Sequence, residues 1–187
     1  MDDSDVTRDR LIQLLREHSL VLGEVILSSG ATASYYVDVR RTVMRPAGMS
    51  AVGKLIAHHA DRLGASAVGG PVMAAIPLAC AAISVPEGRG LNGFFVRKER
   101  KEHGLQRWVE GAAEPGDRVL VVEDTVTTGG STVSAIERIV DEGFEIAGVL
   151  GVVDRLAGGG ERIAAAVDAP YTALTTIDDV YPDRPGK

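Results

Sequence analysis

VLVVEDTVTTGGS, residues 119–131, passes from four apolar residues to two carboxylates and then to a turn of threonines and glycines. Four successive apolar residues suit a strand buried on both faces, so Glu123 and Asp124 mark the point where that strand reaches a ligand edge. Two carboxylates removed from water there are costly without a partner. Ribose hydroxyls, a magnesium ion or both would satisfy them. Thr125, Val126, Thr127, Thr128, Gly129, Gly130 and Ser131 then lead into a helix on which Val133, Ile136, Ile139 and Val140 are expected to share one face. A glycine turn at a helix N-terminus offers unpaired N–H groups and a favourable dipole, which makes a phosphate cradle. A plain strand–turn–helix with Ser131 or Thr128 as N-cap would explain the turn alone. It leaves the carboxylates in front of the turn unexplained. A triphosphate loop would need a lysine after the glycines, and Ser131, Thr132 and Val133 supply none.

Working outward, an N-terminal amphipathic helix is expected with Val6, Leu11, Leu14 and Leu15 on its face, ending at Gly23. Strands over 24–27 and 35–39 flank the turn Ser28-Ser29-Gly30 as a small hairpin outside the main core. A helix over about 47–63 begins near Pro46, and strand and helix then alternate: strand 66–69, helix 73–84, strand 92–97, charged loop 98–116, strand 118–123. Helix 131–142, strand 146–153, helix 161–167 and a strand near 171–175 complete the series. This pattern predicts an α/β fold with a mostly parallel central sheet flanked by helices, whose ligands gather at the carboxyl ends of the strands. The whole chain, 1–187, reads as a single domain with a small N-terminal hood over about 1–45. An acidic pair after an apolar strand also opens receiver domains. Those need four more strands at about 25–30 residues per unit, and only about 60 residues follow Asp124.

The net charge of −6 argues against nonspecific binding to nucleic acid or to anionic lipid. The acidic, polar start lacks the pattern of a secretory signal, and the expected compartment is the cytoplasm. Residues 68–85 carry no charge, but Pro71, Pro77 and the Gly69-Gly70 pair suit a buried strand, turn and helix better than a membrane span. Cys80 is the only cysteine; it precludes an intrachain disulfide and is expected to be buried among alanine and leucine.

On order and spacing, residues 119–131 resemble the signature of the type I phosphoribosyltransferases. The resemblance implies that family's parallel-sheet fold and hood, with 5-phosphoribosyl 1-diphosphate bound together with Mg2+. The acidic pair would hold the ribose hydroxyls and the turn the 5-phosphate. No direct metal ligand is expected, because the ion would be held mainly through the substrate near Glu123 and Asp124.

Arg97-Lys98-Glu99-Arg100-Lys101-Glu102-His103-Gly104, followed by Arg107, concentrates cations in an acidic chain. A salt-bridged surface loop is the plain explanation. A lid over about 98–112, with Gly104 and Gly111 as hinges, would instead carry positive charge to a departing diphosphate and exclude water. His103, when protonated, could donate to that diphosphate. RKERKEHG resembles the catalytic loop of the orotate phosphoribosyltransferases. That resemblance implies that Arg97, Lys98, Lys101 and His103 contact the donor, with Lys101, His103 and Asp124 serving catalysis. It also implies a homodimer in which the lid is shared between subunits.

Orotate is flat and carries a carboxylate, so it needs a cation at its edge, and Arg155 can supply one. An exposed pair with Asp154 is the competing role for that arginine. By resemblance Thr127 touches the base, and the segment LSSGATASYYVDVRR matches the hood, with Tyr35 and Tyr36 near the base. Two positions depart from the family pattern: Ser28 and Ala74 stand where lysines are often found. Arg40, Arg41 and Arg45 are nearby cations that could compensate. A purine phosphoribosyltransferase should lack the RKERKEHG lid, and a nucleic-acid-binding regulator on this fold should show a basic face. A binding protein without catalysis is the remaining alternative, motivated by the two absent lysines.

Overall fold

Along β6 (Arg118–Val126) successive side chains alternate between two cores, as a strand covered on both faces requires. Leu120 and Val122 join Leu15, Ile56, Leu78 and Leu150 on one side. Val119 and Val121 join Ile136, Ile139 and Ile163 on the other. Each fully buried aliphatic side chain of this kind contributes about 1.5–3 kcal/mol. In this computed structural model residues 3–26, 32–99 and 107–185 are described.

The elements are α1 (Asp3–His18), β1 (Leu20–Ile26), β2 (Thr32–Val37), α2 (Arg40–Val43), α3 (Pro46–Leu63), β3 (Ala67–Pro71), α4 (Ala75–Ser84), β4 (Asn92–Val96) and β5 (Val109–Gly111). After β6 follow α5 (Gly130–Asp141), β7 (Glu145–Asp154), α6 (Gly159–Ala166), β8 (Tyr171–Thr176) and α7 (Ile177–Val180). Strands β5-β4-β3-β6-β7-β8 form the main sheet. All its pairings are parallel except that of β5 on β4. The α/β, mostly parallel architecture is therefore as expected. Chain order reverses between β3 and β6, the place where such sheets open a ligand crevice. Among the described residues no helix is long and apolar enough to cross a membrane; residues 68–85 instead make most of β3 and all of α4.

Several local expectations are corrected. The first helix ends at His18, and Gly23 lies inside β1 with φ +120°, at a register shift between Leu22 and Val25. Gly23 thus forms a bulge in the β1–β2 ribbon instead of a helix stop. Val6 is 51% exposed, because α1 buries Leu11, Ile12, Leu14 and Leu15. Val140 is equally exposed, the buried stripe of α5 running through Ala135, Ile136 and Ile139. Cys80 is exposed with Ile76 and Ile83, since α4 packs through Ala75, Leu78, Ala79 and Ala82. The charged loop contains a strand, β5. Gly111, expected as a hinge, is seated there with φ +135°, and a Cβ would lie 2.3 Å from the Gly93 carbonyl oxygen. That contact leaves no room for a side chain and fastens Gly111 to β4.

The hairpin β1–β2 forms its own two-stranded sheet and is tied to the far end of the chain. The Arg8 guanidinium donates to the Leu174 carbonyl at 2.7 Å and pairs with Asp179 at 2.8 Å. Arg16 donates to the Asp179 carbonyl, and the Tyr35 ring meets Tyr181 edge-on at 5.5 Å.

Candidate active site

Glu123 and Asp124 sit near the carboxyl end of β6 and have different surroundings. Glu123 is 6% exposed and turned onto α5, where its Oε2 accepts from Thr132 Oγ1 at 2.9 Å and from Ser131 Oγ at 3.4 Å. Burial, and then the charge of Asp124, push the Glu123 carboxyl up to about 7. Asp124 faces a cavity of about 230 Å³ that it lines with Tyr36, Val37, Thr125, Thr127 and Arg155. Its Oδ1 accepts the Thr125 N–H at 2.7 Å. Burial also raises the Asp124 carboxyl, while that N–H and the charge of Arg40 act the other way.

The turn that follows reaches α5 through Gly129, whose φ of +71° is a left-handed conformation suited to glycine. No side chain caps this helix. Its first N–H groups therefore point outward toward any anion placed at the turn. The turn approaches the start of α6 so closely that a Cβ on Gly129 would lie 2.7 Å from the Gly159 oxygen, and one on Gly159 would lie 2.5 Å from the Thr127 oxygen. From α6, Arg162 extends to the Thr128 carbonyl at 3.5 Å, bringing a cation beside the turn. Arg162 was missed in the sequence because nothing local marks an exposed helix arginine as facing a loop 34 residues earlier.

At the ends of β3 and β4 a second cavity of about 450 Å³ is lined by Val72, Met73, Phe95, Arg97, Lys98 and Glu99. The Val72–Met73 peptide is cis, and Met73 is 74% exposed. Arg97 pairs with Glu110 at 3.0 Å, and its N–H donates to the Trp108 carbonyl at 2.9 Å. Lys98 is exposed.

Asp124, Thr125, Thr127, Tyr36 and Arg155 thus share one cavity, while Arg97 and Lys98 share another. Thr128, Gly129, Gly130 and Ser131 form the turn, Val126 is buried beneath it, and Glu123 is held behind it. Tyr35 packs between Tyr181 and Arg155, whose guanidinium carbon lies 5.5 Å from its ring centre. Lys101, His103, Ser28 and Gly104 lie outside the described residues. Ala74 directly precedes α4. Of the nearby arginines, Arg40 is held by Asp38 at 2.8 Å and lies within electrostatic reach of Asp124.

A carboxylate, an uncapped helix N-terminus and an arginine around one crevice suit a phosphorylated sugar and an anionic acceptor. Comparison with known proteins gives that chemistry a family. An orotate phosphoribosyltransferase of Streptomyces avermitilis is 44% identical over 182 residues, spanning 96% of this chain and 98% of the relative. The chain belongs to the orotate phosphoribosyltransferases. The Corynebacterium glutamicum (strain R) orotate phosphoribosyltransferase is 43% identical over 92% of this chain and 93% of its own. Among solved structures, the Mycobacterium tuberculosis orotate phosphoribosyltransferase in complex with 5-phospho-alpha-D-ribosyl 1-diphosphate superposes with a TM-score of 0.80 at 37% identity. It covers 93% of this chain and 98% of that one. An adenine phosphoribosyltransferase from Leishmania donovani, 14% identical with a TM-score of 0.67 over 95% of this chain and 86% of its own, shares the fold alone. No protein-family model matches the chain.

Proposed function

We propose that the chain transfers the phosphoribosyl group of 5-phosphoribosyl 1-diphosphate to orotate, giving orotidine 5-monophosphate and diphosphate in pyrimidine synthesis. The cavity carries this reading. In support, Asp124, near the end of β6, lines it together with Thr127 of the turn that leads into α5, Arg155 and Tyr36. The 5-phosphate takes the open N–H groups of the turn, with Thr127, Thr128 and Ser131 as further donors. Asp124 accepts from a ribose hydroxyl. Arg155 takes the carboxylate of orotate through a charge-assisted hydrogen bond.

In the reaction the bond from C1 to the diphosphate oxygen breaks and its electron pair leaves with the diphosphate. N1 of orotate forms the new bond to C1, and its proton passes to the departing diphosphate. The transition state is loose, with positive charge on the ribose, so positioning and charge supply most of the acceleration. Arg97, Lys98, Lys101 and His103 are assigned to the departing diphosphate. Glu123 is assigned to the donor side through the turn it braces.

Asp124 would help to hold a magnesium ion bound with the donor, and such an ion would supply neutralisation of the diphosphate charge. The residues fit that role, since Asp124 supplies a carboxylate at the cavity. Among the described residues no group of three His, Cys, Asp or Glu side chains could hold the ion unaided. The working unit in this proposal is a cytoplasmic homodimer whose basic loop ahead of β5 is shared between subunits. Its partners are small molecules, and it engages neither nucleic acid nor membrane.

The test is diphosphate release with orotate, uracil, adenine or hypoxanthine, each with donor and magnesium. Turnover with orotate alone is expected. Turnover with a purine and none with orotate would overturn the assignment.

A further inference from the structure

Arg155 adjoins a carboxylate, yet Asp154 does not pair with it. Asp154 is 7% exposed and both its oxygens are taken: Oδ1 accepts the Leu156 N–H at 2.7 Å and Oδ2 accepts the Tyr171 hydroxyl at 2.7 Å. The first bond closes a tight turn in which Leu156 has φ +55°. The Arg155 N–H donates to the Val126 carbonyl at 2.9 Å. Together these fix the backbone from which the Arg155 side chain leaves toward the cavity and the Tyr35 ring.

The Tyr171 side chain is fitted into this place from the start of the neighbouring strand. A Cβ on Gly160 would lie 2.6 Å from Tyr171 Cε1 and 2.8 Å from Asp154 Oδ2, and one on Gly151 would lie 3.1 Å from the Tyr171 hydroxyl oxygen. Two glycines therefore make room for the hydroxyl beside the carboxylate. Burial first, and then the bond to Asp154, raise the Tyr171 hydroxyl above its ordinary value, so it remains a donor at every working pH.

We infer that Tyr171 is a positioning residue for the acceptor: by occupying Asp154 it keeps that carboxylate off Arg155 and leaves the guanidinium to the carboxylate of orotate. The inference rests on the assignment of Arg155 to orotate. Its physical basis is the cost of an unpaired buried carboxylate. Without the hydroxyl, Asp154 Oδ2 is released to pair with the adjoining Arg155, and an internal ion pair then competes with the incoming acid. The donor contacts at the turn are untouched.

Tyr171→Phe keeps the ring and removes the hydroxyl. The expected result is a KM for orotate about tenfold higher, with kcat and the KM for the phosphoribosyl donor changed less than about twofold. Adding Asp154→Asn to Tyr171→Phe removes the competing charge while leaving an oxygen for the Leu156 N–H, so the KM for orotate falls back most of the way. A purely structural role for Tyr171 predicts the reverse, since a second core change would deepen the defect. If Tyr171→Phe alone proves too unstable to assay, the double variant, which has no carboxylate at position 154, carries the test. Its KM for orotate should then lie well below that of Arg155→Ala, and a KM as high as that of Arg155→Ala overturns the inference.

Arg155→Ala separates the two layers of the argument. If it raises the KM for orotate while Tyr171→Phe does not, the inference about Tyr171 is wrong and the base assignment stands. If Arg155→Ala leaves the KM for orotate unchanged, the base assignment itself is wrong.

Discussion

Arg138 lays its guanidinium 4.0 Å from the centre of the Trp108 ring and donates a 2.8 Å hydrogen bond to the Arg97 carbonyl. Just past the end of α5, Glu142 accepts from the N–H groups of Trp108 and Val109. The helix that begins at the glycine turn thus ends by gripping both sides of the basic segment. Trp108 is the only tryptophan, so its fluorescence reports this contact without a label. Arg138→Ala should move the emission to longer wavelength and cost about 1–2 kcal/mol in urea unfolding. An unshifted spectrum would mean that the stacking is absent in solution.

Glu123 gives stability a pH slope of known sign. Its carboxyl holds a proton up to about 7 when folded, against 4.5 as its ordinary value. Between those values the native state binds more protons than the unfolded chain, so the unfolding free energy falls as pH rises and levels off above 7. The loss from this group is about 3 kcal/mol, and Asp124, also raised, adds in the same direction. Glu123→Gln should flatten the slope between pH 5 and pH 8 in urea titrations. An equal slope in the variant would mean that Glu123 is ionised throughout.

Gly159→Ala should act on donor binding. The added methyl would meet the Thr127 oxygen at 2.5 Å and Val126 Cγ1 at 2.8 Å, so the turn proposed for the phosphate must shift. Overpacking of this kind costs about 1–3 kcal/mol. Steady-state kinetics should show a KM for the phosphoribosyl donor about tenfold higher with the KM for orotate little changed. Equal rises in both would place the damage in the sheet instead of the turn.

The long, periodic elements were legible because each carries its own pattern: β6 and β7 as apolar runs, α3 and α5 as helices with a buried stripe. The acidic pair and glycine turn were legible for a related reason, since neighbours in the chain remain neighbours at a strand end. What escaped was short or distant. α2 has four residues and β5 three, too few for a period to emerge. The grip of Asp154 on Tyr171 spans 17 residues and depends on two strands lying side by side, and nothing within either segment announces it. Reading both carboxylates of the pair alike concealed a further distinction, because the sequence holds no sign that Thr132 would claim Glu123.

Lys101→Ala should lower kcat by about 10² to 10³ with little loss of orotate affinity if its charge acts on the leaving diphosphate. Mixed dimers of Lys101→Ala and Asp124→Asn subunits should recover activity at one intact site. Absence of any recovery would argue for loops that serve their own subunit.

The ties from Arg8 to Leu174 and Asp179, and from Tyr35 to Tyr181, have a consequence in time. A growing chain emerges N-terminus first. The turn at Gly129 and the helix behind it are therefore out of the ribosome while α1 and the hairpin still lack the residues they rest on. The wall that carries Tyr35 and Tyr36 gains its backing only as residues 174–181 arrive. Synthesis thus delivers the turn proposed for the phosphorylated sugar before the backing of the wall proposed for the base, and a chain cut short near Thr176 is expected to lose that backing.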